Sequence, residues 1–284
     1  MTYSLTLGNS KYGQALPDED AHAFSHGIFA VADGITRDPA GETDFSKRTP
    51  QDMAAAYPNP SGAKMAADVF CKEFIESGLH GTDTRAAFLA ANQAIAELNR
   101  VHVPKPDYLV NDYFACVAAG AHIIDDTLHW SVIGDCGVIV YGADGTFKLR
   151  TPDSFAVFHE LELNGTVIFD WKKPEGRTLV RSQYRNNPKQ LLDGRCVSYG
   201  ALTGETTAEP FIYSGEYKLV SGDLVVLYSD GFEETILHPD FPIIARNEKI
   251  ATESIAAFST KLAADDYEKY GRERTIIASL FSKS

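Results

Sequence analysis

Two amphipathic helical segments stand back to back in this chain between runs of short β-rich segments, and that grouping constrains the fold more than any other feature. The first helix is predicted after Asn59-Pro60-Ser61, with Ser61 as its N-cap. Met65, Ala66, Val69, Phe70 and Phe74 recur at helical spacing, and Gly78 marks its end. The second is predicted from Thr82 or Asp83 to just before Pro104, with Ala87, Phe88, Ala91, Ile95 and Leu98 as its apolar stripe. Strands are expected at 3–7, 21–24 and 28–32 before this pair, and at 113–118, 122–124, 128–133, 138–141 and 147–149 after it. Asp125-Asp126, Gly134-Asp135 and Ala143-Asp144-Gly145 punctuate that second run, so 108–149 reads as an antiparallel meander. Residues 154–192 are polar and show no clear period. Further strands are expected at 217–219, 224–228 and 275–281, and a last helix around 253–264. Helices in pairs and strands in runs exclude βαβ alternation. The class is α+β, with antiparallel sheets covered by helices.

A length of 284 residues suits one large domain or two small ones. The reading here is one domain, 1–284, carrying a long polar loop at 35–60. A connection of roughly 25 residues without structure of its own is ordinarily functional or mobile. The 26 Lys and Arg against 39 Asp and Glu leave a net charge of −13, which repels phosphate backbones, so no nucleic-acid partner is expected. The four cysteines form no CxxC pair and read as small buried residues in a reduced cytosol. The eight histidines show no HxH or HxxxH spacing, which argues against a zinc centre. The N-terminus lacks a basic stretch followed by an apolar core, so no signal peptide is expected. The longest nearly apolar stretch, 114–124, falls short of the ~20 residues that span a bilayer. A soluble, cytoplasmic protein without a membrane partner is the expectation.

The chemistry lies in carboxylates. In Phe29-Ala30-Val31-Ala32-Asp33-Gly34, and again in Leu224-Val225-Val226-Leu227-Tyr228-Ser229-Asp230-Gly231, a hydrophobic strand delivers Asp-Gly at its C-terminal end. Gly134-Asp135-Cys136-Gly137 places an Asp between glycines at a strand boundary, and Asp18-Glu19-Asp20 sits just before a strand. A lone Asp-Gly is usually a turn. An ordinary turn, however, does not need a strongly apolar strand aimed at it. Several such strand ends meeting at one sheet edge would bring together carboxylates that repel unless cations neutralise them. Mg²⁺ and Mn²⁺, hard ions with oxygen ligands, suit that role. A glycine after each Asp lets the backbone approach closely.

The order of acidic pair, VADG, two helices, IGDCG and a strand ending in SDG resembles the metal-dependent serine/threonine protein phosphatases of type 2C, the PPM family. Residues 198–204 (SYGALTG) and the Gly222-Asp223 turn before the SDG strand are similar as well, so the resemblance spans about residues 5 to 281. It implies a β-sandwich of two antiparallel sheets flanked by helix pairs, a four-layer αββα arrangement, with two Mn²⁺ or Mg²⁺ ions at one end and a possible third. By position, Asp33 would bridge the two metals, Gly34 would lend a carbonyl and Asp230 would ligate one ion. Glu19 and Asp20 would hold the other, and Asp135 would help with a third. The implied activity is hydrolysis of phosphoserine or phosphothreonine in phosphoproteins by a metal-activated water, with no covalent protein nucleophile. Two alternatives stay open: a catalytically weak binding or regulatory module, and a phosphatase of a small phosphorylated metabolite.

The chain departs from the family's pattern in four places. Where the family carries a phosphate-binding Arg, four residues before Glu19, stands Ala15; Lys11, Arg37 or Arg48 are the substitute cations. Ile35-Thr36-Arg37 replaces the usual Gly-rich continuation after Gly34. Arg272 takes the place of the Asp that closes the family's metal site, where it would repel a metal ion or bind phosphate itself. Glu273, or Asp265 or Asp266 after a loop shift, would restore the missing carboxylate. Cys136 stands where Ser is usual.

Overall fold

The computed structural model describes residues 2–9, 18–37, 55, 57–165, 173–247 and 251–283. The strands are β1 (Thr2–Leu7), β2 (Ala21–Ser25), β3 (Ile28–Gly34), β4 (Cys116–Ile124), β5 (Thr127–Ile133) and β6 (Gly137–Tyr141), then β7 (Phe147–Arg150), β8 (Leu191–Leu192), β9 (Arg195–Cys196), β10 (Tyr213–Lys218), β11 (Leu224–Tyr228) and β12 (Arg274–Leu280). One antiparallel sheet runs β1-β12-β11-β6-β7 and the other β10-β5-β4-β3-β2, while β8 and β9 form a small ribbon. The helices are α1 (Gly62–Leu79), α2 (Thr84–His102), α3 (Ala156–Leu163) and α4 (Pro174–Leu179), which runs into a π-turn (Val180–Tyr184). They continue with α5 (Asp230–Ile236), α6 (Phe241–Ile244), α7 (Ala251–Asp265) and α8 (Tyr267–Tyr270).

The side chains explain the layering. In β3, Phe29 and Val31 join Val117, Val132, Val138, Val225 and Leu227 between the two sheets. Ala30 and Ala32, on the other face, pack with Phe70, Phe74 and Phe88 of α1 and α2. In β11, Leu224, Val226 and Tyr228 meet Phe232, Phe241 and Ile255 of α5, α6 and α7. Each central strand is therefore buried on both faces, which is why it reads as a continuous apolar run instead of an alternating one. The result is the expected α/β/β/α stack. Caps set the helix starts: Ser61 Oγ accepts from Lys64 N at 3.1 Å, and Asp83 Oδ1 accepts from Ala86 N at 3.0 Å. Among the described residues, no helix is long and apolar enough to cross a membrane.

The structure corrects the sequence reading in several places. The expected meander does not exist as one sheet: β4 and β5 pair in one sheet, β6 and β7 in the other. Gly134-Asp135 is thus a crossover between sheets, with Gly134 at φ +79, and no hairpin forms there. Segments 116–118 and 122–124 merge into the single strand β4, because Gly120 lets the backbone pass beneath Phe74, where a Cβ would lie 2.5 Å from that ring, and the expected 113–115 is left outside it. β10 begins earlier than expected, at Tyr213. The irregular stretch 154–192 holds α3, α4 and the π-turn, elements too short to show a period.

Candidate active site

Antiparallel register brings the carboxylates to one end of the sandwich. Asp33 and Gly34 close β3 opposite Val117 and Cys116 at the start of β4, while Ala21, just after Glu19-Asp20, pairs with Ala32. Asp135 lies in the crossover from the end of β5 to the start of β6. In the other sheet Tyr228, at the end of β11, pairs with Gly137 at the start of β6 and with Ile276 near the start of β12. Asp230 opens α5 directly after β11, and Glu273 precedes β12. Two glycines are dictated by the crowding. A Cβ on Gly34 would lie 2.8 Å from the Ala63 backbone and 2.9 Å from the Glu19 carbonyl oxygen. One on Gly231 would lie 2.0 Å from the Glu273 carbonyl oxygen.

The carboxylates feel one another. Burial, then the charges of Asp20, Asp230, Asp135 and Glu273, hold the Asp33 carboxyl well above the usual range. Burial and Glu273 do the same to Asp20, against the opposing hydrogen bond from Ser229 Oγ at 2.7 Å. Asp135 is pushed up to about 8 by burial, Asp230 and Asp153, with Arg272 acting the other way. Glu19 is pushed up to about 7 by burial, even though the Ser61 hydroxyl donates to its Oε1 and the Thr36 hydroxyl to its Oε2.

Other expected ligands are engaged elsewhere. Glu273 does not restore a free carboxylate: its Oε2 accepts from Glu19 N at 2.7 Å and its Oε1 from Asp20 N at 3.0 Å. Asp266 caps α8, accepting from Lys269 N at 3.1 Å, while Asp265 is exposed at the end of α7. Arg272 donates from Nη1 to Asp230 Oδ2 at 2.5 Å. Among the described residues, no three His, Cys, Asp or Glu side chains stand ready to hold a metal. The donor chemistry nevertheless fits a hard divalent cation on the Asp33 side, where half-buried Asp33 and Asp135 line a cavity and Asp33 is opposed by the charge of buried Asp20. On the Asp230 side a guanidinium already answers the charge.

That cavity has a volume of about 300 Å³ and is lined by Asp33, Asp135, Thr36, Tyr199, Arg181 and Arg185, among others. Neither arginine was singled out from the sequence, since they sit in the stretch that shows no period. The π-turn points them at the site. Arg185 grips buried Asp112 through two bonds of 2.9 and 2.6 Å, and its Nε is buried without a partner. Arg181 Nε lies 3.5 Å from the same carboxylate. Arg37, expected to meet phosphate, instead stacks 4.8 Å over Phe114 and donates to the Val110 carbonyl oxygen at 3.2 Å. Arg37, Arg181 and Arg185 thus gather around the Asp112 carboxylate, with Asp107 acting on Arg37 and Glu205 on Arg185 as further acids. Lys11, Ala15 and Arg48 lie outside the described residues.

These buried acids predict an unusual stability profile for metal-free protein. Below the ordinary carboxylate range both folded and unfolded chains are protonated, and no penalty exists. As pH rises, the unfolded chain ionises first while the folded one keeps its protons, so stability falls through about 7 for Glu19 and about 8 for Asp135. His22 and His122, held below their ordinary value mainly by burial, act in the opposite sense. The effect is therefore read as a difference. The Tm gained on adding Mn²⁺ in place of EDTA should grow by about 5–10 °C between about pH 5.5 and about pH 8. A flat difference across that window would contradict the cluster.

No family model and no curated protein matches the sequence. Solved structures do match in fold. The serine/threonine phosphatase PstP/Ppp of Mycobacterium tuberculosis superposes with a TM-score of 0.61 at 17% identity, covering 99% of this chain and 98% of that one. Its catalytic domain in complex with two manganese ions gives 0.60 at 17% identity, covering 98% and 96%. The S. agalactiae serine/threonine phosphatase gives 0.59 at 15%, covering 99% of each chain. Along nearly its whole length, this chain is built on the fold of those serine/threonine phosphatases.

Proposed function

We propose that this protein is a metal-dependent phosphomonoester hydrolase acting on phosphoserine or phosphothreonine in protein substrates. The observation that carries the reading is a cavity with walls of opposite sign, Asp33 and Asp135 on one side and Arg181 and Arg185 on the other. A phosphate dianion between a carboxylate-held cation and paired guanidiniums satisfies both walls at once. A volume of about 300 Å³ suits a phosphorylated side chain better than a large ligand.

A bound Mn²⁺ or Mg²⁺ would supply charge neutralisation for the phosphoryl group and a water nucleophile at neutral pH. Asp33 and Asp20 would hold it, and Glu19, whose two oxygens already accept from the Ser61 and Thr36 hydroxyls, would act through water, with the close approach of Gly34 leaving a backbone carbonyl beside them. Glu273 would fix the Glu19-Asp20 backbone, and Ser229 the Asp20 carboxyl. Arg181 and Arg185 would orient the phosphoryl oxygens. A covalent cysteine route is disfavoured, because burial pushes the Cys71, Cys116 and Cys136 thiols far above their ordinary value.

The test is Mn²⁺-dependent hydrolysis of an aryl phosphate and of phosphoserine peptides. Activity lost in EDTA and restored by Mn²⁺ supports the reading. Well-folded protein without activity in millimolar Mn²⁺ supports the second reading, a binding module, which the Arg272–Asp230 pair favours. Within the first reading, Arg181→Ala should raise KM roughly 10- to 100-fold, the scale of one charge-assisted hydrogen bond, with a smaller effect on kcat. An unchanged KM would remove Arg181 from the substrate site.

A further inference from the structure

We propose that Arg272 is a built-in cation standing in the place of the second metal, so that the site takes a single divalent ion, on its Asp33 side. The inference rests on the reading of the site as a divalent-cation centre and narrows its stoichiometry. Four observations support it. Arg272 Nη1 donates to Asp230 Oδ2 at 2.5 Å, which commits one oxygen of the carboxylate that would ligate the second ion. The backbone there is pinned: the Arg272 carbonyl accepts from Arg274 Nη1 at 2.8 Å, and buried Arg274 is tied through Nε to Ser259 Oγ at 2.7 Å.

The pairing also follows from sheet register. Tyr228 stands opposite Ile276 on neighbouring strands, so the residues just beyond β11 and just before β12 meet at the same end of the sandwich. Finally, the neighbouring Glu273 is no replacement ligand, because both of its oxygens are taken by the amides of Glu19 and Asp20. Two divalent ions about 3.5–4 Å apart need carboxylates on both flanks. Here one flank carries a guanidinium, which repels a dication and neutralises Asp230 without one.

The test counts ions. Phosphate-free protein is titrated with Mn²⁺, bound metal is measured by elemental analysis after equilibrium dialysis, and the bound Mn²⁺ is examined by electron paramagnetic resonance. The full chain should bind one ion, with the spectrum of isolated Mn²⁺. Arg272→Asp should bind a second ion and show exchange coupling between the two. Arg272→Ala should bind the second ion more weakly than Arg272→Asp. The Arg272 side chain is 54% exposed, so Arg272→Ala should unfold near the metal-free Tm of the parent, while Arg272→Asp, which adds a carboxylate beside Asp230, should unfold below it and regain the loss on binding Mn²⁺. Two coupled ions in the parent would overturn the role of Arg272 while leaving the phosphatase reading in place. One ion in all three proteins would overturn Arg272 as the excluding group. No bound ion in any of them would overturn the inference together with the metal-centre reading beneath it.

Discussion

Asp33→Asn should abolish Mn²⁺-dependent hydrolysis of an aryl phosphate, lowering kcat/KM by roughly 10³-fold or more. That factor corresponds to about 4 kcal/mol of transition-state stabilisation, the scale expected for charge supplied by a metal ion. The same change should raise the Tm of metal-free protein. Asp33 ends a strand whose neighbours are apolar, and its carboxyl is opposed by Asp20, Asp230, Asp135 and Glu273. A neutral amide of the same shape ends that repulsion. Lost activity together with a gained metal-free Tm separates a metal-holding role from a merely structural one, since a structural Asp would lower both. An active Asp33→Asn enzyme, measured with excess Mn²⁺, would sink the proposed function.

The second large effect lies across the cavity. Asp112 and Arg185 are both almost wholly buried and joined by two charge-assisted bonds, and Arg37 and Arg181 lie close to the same carboxylate. Asp112→Ala would leave that positive cluster without its shared counter-charge in a place water barely reaches. Removing one partner of a buried pair typically costs about 3–5 kcal/mol, and that loss is expected in the urea unfolding free energy. Asp112 also accepts from Tyr113 N at 2.8 Å, which adds to the cost. Where folded protein survives, KM for a phosphopeptide should rise, because the guanidiniums lose their anchor. A loss below about 1 kcal/mol would mean that water or another group compensates Arg185, and the account of this wall would fail.

The resemblance to phosphatases led to the acidic end of the site and missed its basic end. Asp33, Gly34, Asp230 and Asp135 announce themselves because a strand buried on both faces must be apolar throughout, so a carboxylate at its tip stands out. Arg181 and Arg185 carry no such signal. Arg181 lies in a five-residue π-turn and Arg185 just after it, an element too short for periodicity to register, and any arginine in a polar stretch looks solvated. The position of Arg37, expected as a substitute cation, was hidden for a related reason. A cation close in sequence to Asp33 can still be drawn off by an aromatic ring and a carbonyl, here Phe114 and Val110.

Local rules were sufficient for the helix pair, the Ser61 cap and the central strands, since each depends on residues within one or two turns of itself. They failed at Gly134-Asp135, where the same Gly and Asp serve a hairpin or a crossover equally well and only the pairing of distant strands decides which. The Asp230 partner was open in the same way. Arg272 lies 42 positions away, and nothing along the chain says whether its guanidinium faces solvent, phosphate or that carboxylate. Hydrophobic burial writes a periodic signature into neighbouring residues. Electrostatic partnership writes none, because a charge answers whichever opposite charge the completed fold brings nearest.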